Sequence, residues 1–77
     1  MKREFYGEVN CKGKTIRYYL LALSEHYGIC VEDGSERAER PGLTQDRACA
    51  ESLLCSMMRG IVTPVTARDV AEDFLYG

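Results

Sequence analysis

The chain has 77 residues, of which 45% are hydrophobic and 29% are charged. This composition is typical of one small globular domain, and it excludes a disordered chain and a catalytic cleft between two domains. The formal net charge of -2, with both signs interspersed, argues against a nucleic-acid-binding surface.

The first two predicted strands form a β-hairpin. Residues 4–11 and 15–23 show alternation and are rich in β-branched, aromatic and aliphatic side chains. Lys12-Gly13 between them suits a two-residue turn, which sets the register of the two strands. The predicted cross-strand pairs are Val9 with Ile16, Gly7 with Tyr18, Phe5 with Leu20, Glu8 with Arg17, and Tyr6 with Tyr19.

A third strand is predicted at residues 27–32, after a polar break in the sequence. Asp33-Gly34 then predicts a turn, and the charged residues 35–40 predict a short edge strand that Pro41-Gly42 ends. The predicted pairs between the second and third strands are Ala22 with Tyr27, Leu20 with Ile29, Tyr18 with Val31, and Arg17 with Glu32.

A first helix is predicted to begin with Thr44 as its cap and Asp46 in its first turn. Gly60 is placed to end it. Its apolar residues recur at helical spacing and predict the face that packs on the sheet. These residues are Ala48, Cys49, Ala50, Leu53, Leu54, Met57, Met58 and Ile61.

A second helix is predicted to begin at Thr66, which would form a capping box with Asp69. Val65 and Val70 have the spacing of a hydrophobic staple. If the ring of Phe74 is fully buried, Phe74→Ala is expected to cost roughly 3 to 5 kcal/mol. The apolar stripe of this helix is Ala67, Val70, Ala71, Phe74 and Leu75.

These elements predict an α+β fold within a single domain of residues 1–77. A four-stranded antiparallel meander is followed by two helices that pack on one sheet face, in the order ββββαα. No apolar segment reaches the length of a membrane span, and Met1–Gly7 lacks a signal-peptide core. We therefore expect a cytoplasmic protein that does not contact a membrane.

The four cysteines are Cys11, Cys30, Cys49 and Cys55, and none forms the close pair that zinc sites usually contain. We expect reduced thiols that act mostly as small buried hydrophobes, with disulfides as the alternative and metal ligands last. The single histidine, His26, lies in a predicted polar loop, where a solvated side chain is the ordinary interpretation. We predict no catalytic residue, no metal and no cofactor.

The second strand is apolar on both faces, although a sheet with one solvated face should be polar there. Its side opposite the core carries Tyr19, Leu21 and Leu23, next to Tyr6 of the first strand. A few scattered apolar residues on a surface are ordinary. The functional interpretation is a patch that binds a partner protein or a second copy of the chain.

Asp69, Glu72 and Asp73 share one face of the second predicted helix. A solvated acidic face is the ordinary interpretation, and a surface for a basic partner is the functional one. We therefore predict a non-enzymatic interaction module, a small regulator or inhibitor that acts through the sheet face or this acidic edge. The alternative is a binder of a nucleotide-like small molecule at a homo-oligomer interface, with Arg17, Arg37 and Tyr19 as contacts.

Two segments, Tyr27-Gly-Ile-Cys-Val31 and residues 62–74 (Val-Thr-Pro through Asp-Val-Ala-Glu-Asp-Phe), carry a resemblance to a known family. Here the chain resembles a family of small bacterial proteins of unknown function, found largely in clostridial-type genomes. The resemblance implies a stand-alone bacterial cytosolic domain. It implies no activity and no binding residues.

Overall fold

A computed structural model describes residues 1–76 of the protein. The strands form one antiparallel sheet in the order β1-β2-β3-β4, and two helices follow them. The predicted ββββαα α+β fold is confirmed. The elements are β1 (Lys2–Cys11), β2 (Lys14–Ala22), β3 (Tyr27–Glu32), β4 (Arg37–Thr44), α1 (Arg47–Arg59) and α2 (Pro64–Tyr76).

The core lies between the helices and one face of the sheet. α1 packs on all four strands, whereas α2 packs mainly on β4 and β3. The hydroxyl of Tyr18 donates a hydrogen bond of 2.8 Å to the carbonyl of Val62, which ties the sheet to the link between the helices. The core residues are Ile16, Tyr18, Leu20, Ile29, Val31, Ala38, Leu43, Ala50, Leu53, Leu54, Met57, Ala67 and Ala71.

Both predicted turns are confirmed. Lys12 and Gly13 have φ values of 51° and 81°, as the central residues of a type I′ turn require. The carboxylate of Asp33 accepts hydrogen bonds from the amides of Ser35 and Glu36 at 3.0 and 2.8 Å. The confirmed pairs are Val9 with Ile16, Gly7 with Tyr18, Glu8 with Arg17, Ala22 with Tyr27, Leu20 with Ile29, Tyr18 with Val31, and Arg17 with Glu32.

A β-bulge at Tyr6 changes the register of the first half of β1. The partner of Phe5 is Tyr19, so the predicted pairs of Phe5 with Leu20 and of Tyr6 with Tyr19 are wrong. The extra residue in β1 moves Phe5 to the sheet face opposite the helices. Gly7 keeps its predicted place beneath α1, where a Cβ atom would come within 2.7 Å of the Met58 methyl carbon.

β4 is longer than predicted, because it continues through Pro41 and Gly42 to Thr44. A proline is tolerated there because β4 is an edge strand, where no neighbouring strand needs its missing N–H. Gly42 has a φ of 69°, and the register between β3 and β4 shifts near this point. The extension brings Leu43 into the core.

The N-terminal cap of α1 is Asp46, so the prediction of Thr44 is wrong. The Asp46 carboxylate accepts a 2.9 Å hydrogen bond from the amide of Ala48. The hydroxyl of Thr44 accepts a 3.1 Å bond from the amide of Asp46. Thr44 therefore supports the cap from the end of β4.

α2 begins at Pro64, two residues before the predicted cap. The carbonyl of Thr63 accepts hydrogen bonds of 3.1 and 2.9 Å from the amides of Thr66 and Ala67. Thr63 is therefore the cap position. Proline suits the first position of a helix because its missing N–H would have no helical partner. The predicted capping box of Thr66 with Asp69 is therefore wrong, as is the staple, because Val65 is 69% exposed.

α1 ends with a Schellman motif in which the left-handed residue is Ile61, not a glycine. Ile61 has a φ of 51°, whereas Gly60 has a φ of -86°. The amides of Ile61 and Val62 donate to the carbonyls of Met58 and Met57 at 3.2 and 2.9 Å. Ile61 is 41% exposed, so its predicted place on the buried stripe is wrong. Ala48 and Cys49, also predicted on that stripe, are exposed as well.

The predicted stripe of α2 is buried at Ala67 and Ala71 and half-buried at Val70. Phe74 and Leu75 are 38% and 40% exposed, so the prediction that they pack inside the core is wrong. The condition for a large loss of stability in Phe74→Ala is therefore not met. The ring of Phe74 is free to form part of a surface groove.

Candidate interaction surfaces

The outer face of the sheet, which is turned away from the helices, carries a row of alternating charges. Glu8, Arg17, Glu32 and Arg37 are register partners on successive strands. We call these residues the charged row. Arg17 Nε lies 3.7 Å from Glu8 Oε1, and both side chains are about half exposed. Opposite charges on neighbouring strands stabilise the pairing and leave this part of the face without net charge.

Next to the charged row, Phe5 and Tyr19 form an aromatic pair. Their ring centroids lie 5.7 Å apart in an edge-to-face arrangement, and the guanidinium carbon of Arg3 lies 5.3 Å from the centroid of Tyr19. The Tyr19 hydroxyl donates a 2.8 Å hydrogen bond to Glu32. This bond raises the pKa of Tyr19. Tyr19 is therefore held from three directions, whereas Phe5 remains 57% exposed.

Part of the outer face of the sheet is not accessible to solvent. Leu21 and Cys30 are 0% exposed although they lie outside the main core. Gly28, the register partner of Leu21, lies so close to the start of the β4 extension that a Cβ atom would come within 2.2 Å of the Arg40 carbonyl oxygen. Burial raises the pKa of the Cys30 thiol. Leu21 is therefore not available to a partner, contrary to prediction.

The exposed apolar residues near this face are Phe5 and two of the predicted contacts. Tyr6 is 38% exposed at the bulge, and Leu23 is 37% exposed just beyond the end of β2. The sequence missed Phe5 as a surface residue, because strict alternation assigned it to the core. The bulge that exposes Phe5 carries no recognisable local signal in the sequence.

A second surface is an open groove of about 360 Å³ between the start of α1 and the end of α2. Leu53 and Phe74 supply its apolar surface. Cys49 donates a 3.4 Å hydrogen bond to the Asp46 carboxylate, which raises the pKa of the Cys49 thiol. The groove is lined by Ala48, Cys49, Ser52, Leu53, Ser56 and Phe74.

Comparison with known proteins places the chain in a family. The family model described as DUF6514, a family of unknown function, matches residues 3–77. The chain belongs to the DUF6514 family. Membership in an uncharacterised family agrees with the resemblance found in the sequence. No curated protein and no solved structure matches this DUF6514 chain.

The two arginines predicted to bind a nucleotide-like ligand do not form a common cationic site in the DUF6514 chain. Glu32 lies between Arg17 and Arg37 in the charged row. Glu8 contacts Arg17 from the other side. An anionic ligand at this place would meet carboxylates as well as cations, so the geometry gives the nucleotide-like ligand no support.

The acidic trio of α2 is exposed. Glu72 lines a cavity beside β4 together with Arg40 and Arg68. Asp69 and Asp73 lie one helical turn apart, and Asp73 directly precedes Phe74 of the groove. Among residues 1–76, no group of three or more histidine, cysteine or acidic side chains is placed to hold a metal ion.

The four cysteines of the DUF6514 chain are free thiols, and only Cys30 is fully buried. Cys11 and Cys55 are partly exposed, and Cys49 is exposed. The prediction of mostly buried thiols is therefore wrong for Cys49, which was assigned to the apolar stripe of α1. Within residues 1–76, neither helix combines the length and the apolar character that a transmembrane segment needs.

Proposed function

We propose that this DUF6514 protein is a non-enzymatic interaction module that forms a homodimer through the outer face of its sheet. In that form it acts in the bacterial cytoplasm as a small regulator or inhibitor of a partner protein. The resemblance to clostridial-type bacterial proteins supports this setting. The observation that carries the proposal is Phe5, an aromatic side chain that is 57% exposed beside Tyr19 on an otherwise paired sheet face.

The charged row favours a second copy of the chain as the occupant of this face. When two sheets stack about a two-fold axis parallel to their strands, β1 of one copy faces β4 of the other. Glu8 then faces Arg37, and Arg17 faces Glu32. Every pair along the row has opposite charges, so the same face on two copies is electrostatically self-complementary.

The size of the chain also favours association. A domain of 77 residues has a small core, and small domains commonly gain stability from oligomerisation. Covering Phe5 and Tyr6 would remove apolar area from water, which contributes roughly 25 cal/mol for each Å² buried. The exposed aromatic residues therefore supply a driving force, and the charged row supplies the orientation.

The test is sedimentation velocity over a wide range of protein concentration. Phe5→Glu places a charge on the apolar part of the proposed interface and should give a monomer, whereas the wild type should show a concentration-dependent dimer. The matched control is Val65→Glu on α2, where the side chain is 69% exposed on the opposite layer. High salt should weaken the wild-type dimer, because it screens the charged row. A strictly monomeric wild type, or an equal dimer in Phe5→Glu, would refute the homodimer.

A further inference from the structure

We propose that the groove between α1 and α2 binds a short amphipathic helix of a partner protein, with lysine or arginine beside its apolar face. This inference rests on the proposed interaction role, but it uses the layer opposite the sheet face. A homodimer joined through its sheets would leave both grooves exposed on the outside. The groove would then be the surface through which the dimer recognises its partner.

The shape of the groove suits a helix. Ala48, Ser52 and Ser56 follow one another at intervals of one helical turn along α1 and give it a low, smooth surface. From Ala48 to Ser56 this surface is about 12 Å long. Phe74, with 38% of its surface exposed, forms an apolar wall beside it. Small residues on one side and an aromatic ring on the other allow a second helix to approach closely.

The charge around the Phe74 end of the groove is negative. The carboxylate of Asp46 offsets the partial positive charge of the α1 N-terminus and contacts Cys49 in the lining at 3.4 Å. Asp73 adjoins Phe74, and Asp69 lies one turn before it on α2. The last turn of α2 contains no basic residue to offset the partial negative charge of its carbonyl groups.

The nearby cations do not neutralise this charge. Arg47, beside Asp46, donates two hydrogen bonds to Glu4 and one to Glu51, which commits its guanidinium to the β1 side of α1. Arg68 lines cavities on the β4 side of α2. Arg59 lies almost one turn beyond Ser56, at the far end of the groove. A basic apolar segment therefore matches this groove, and an acidic one is repelled.

A selection from random peptides displayed on phage tests the inference. Peptides of about 14 residues, roughly four helical turns, are selected on the wild-type protein and counter-selected on Ser52→Arg. Ser52 is exposed, so arginine there fills the groove and adds a positive charge while the fold is retained. The enriched peptides should carry apolar residues at helical spacing together with lysine or arginine.

Fluorescence anisotropy then measures the affinity of the enriched peptides. Ser52→Arg should weaken binding about tenfold or more, and the matched variant Ser52→Ala should stay within about twofold of wild type. Acidic or patternless peptides, or equal binding to Ser52→Arg, would overturn the inference. Phe5→Glu should bind the peptides as the wild type does. If Phe5→Glu does not bind the peptides, the peptides occupy the sheet face of the wild type. That result would contradict the groove as the binding site but would agree with the proposed interaction role.

Discussion

The rings of Phe5 and Tyr19 meet edge to face, with their centroids 5.7 Å apart. The contact exists because Tyr6 is an extra residue in β1 that turns Phe5 away from the helices. The same bulge makes Glu4 the register partner of Leu20, on the side of α1. There the Glu4 carboxylate accepts hydrogen bonds of 3.2 and 3.0 Å from Arg47, which lowers the pKa of Glu4. One inserted residue thus creates both an outer aromatic pair and an ion pair with the first helix.

Deletion of Tyr6 should therefore leave the fold intact. Phe5 would still pair with Tyr19, and Gly7 would still pair with Tyr18. Phe5 and Gly7 would then be consecutive and would lie on opposite faces of the sheet, as in a regular strand. We expect the free energy of unfolding to change by no more than about 1 kcal/mol, as for most changes at exposed positions. Urea unfolding measures the stability, and cross-strand nuclear Overhauser effects between the remaining pairs measure the register.

Deletion of Glu8 is the matched control. It should move Tyr6 into the place of Gly7, where any Cβ atom would come within 2.7 Å of the Met58 methyl carbon. That variant should lose roughly 1 to 3 kcal/mol, the usual cost of overpacking a core contact. Equal stability of the two deletion variants would contradict the assignment of Tyr6 as the bulge residue.

The parts of the fold that could be predicted from the sequence are those that local chemistry determines. Lys12-Gly13 is a turn signal with a defined loop length, which sets the register of β1 and β2 beside it. Asp33-Gly34 marks a turn, but Glu32 pairs with Arg37, so the loop there has four residues. The pairs of β2 with β3 follow from the short loop between Ala22 and Tyr27, since both strands keep strict alternation. The bulge at Tyr6 breaks that alternation in β1, and no local pattern in the sequence marks it.

The candidate surfaces were predicted less well, because exposure depends on how elements pack. Leu21 is buried, although the alternation of β2 placed it on the open face of the sheet. The close approach of β4 to β3 at Gly28, beside Leu21, leaves no pattern in the local sequence from which it could be predicted. Phe74 is exposed because α2 packs through the small residues Ala67 and Ala71, which lie close to the sheet. The start of α2 at Pro64 was missed for a different reason. Threonine is a common cap, and Thr63 and Thr66 both satisfy the pattern.

Ile61 should be a site where substitution stabilises the protein. A β-branched residue with a φ of 51° is strained, and the left-handed conformation costs a non-glycine residue roughly 1 to 2 kcal/mol. Ile61→Asn should raise the free energy of unfolding by about 1 kcal/mol, because asparagine tolerates this conformation and the relief of strain outweighs the contacts of a side chain that is already 41% exposed. Urea unfolding measures the change. Gly60→Ala is the control, since a φ of -86° accommodates alanine and its effect should be small. A large loss in Gly60→Ala with no gain in Ile61→Asn would contradict the assignment.

Cys49 should alkylate slowly for an exposed thiol. The Asp46 carboxylate accepts a 3.4 Å hydrogen bond from the Cys49 thiol and raises the pKa of that thiol, which lowers the fraction of reactive thiolate. Asp46→Asn keeps a good helix cap but removes the negative charge, so the rate of reaction with iodoacetamide at mildly alkaline pH should rise about two- to fivefold. Peptide mass spectrometry follows each cysteine separately. Buried Cys30 is the internal control and should stay unreactive in both proteins. An unchanged rate at Cys49 would show that Asp46 does not control the thiol.

Gly28 should tolerate no side chain, whereas Gly42 should tolerate asparagine. A Cβ atom on Gly28 would lie 2.2 Å from the Arg40 carbonyl oxygen and 2.5 Å from the Pro41 Cα, so alanine must push β4 away from β3. At Gly42, where φ is 69°, no atom lies within 4 Å of the added carbon, so only backbone strain opposes a side chain. Gly28→Ala should therefore cost at least about 3 kcal/mol, above the usual range for overpacking because backbone must move, whereas Gly42→Asn should cost less than about 1 kcal/mol. Urea unfolding compares the two, and hydrogen exchange at the β3 and β4 amides should show faster opening only in Gly28→Ala. Similar losses in both variants would mean that the close approach of β4 to Gly28 does not limit this part of the sheet.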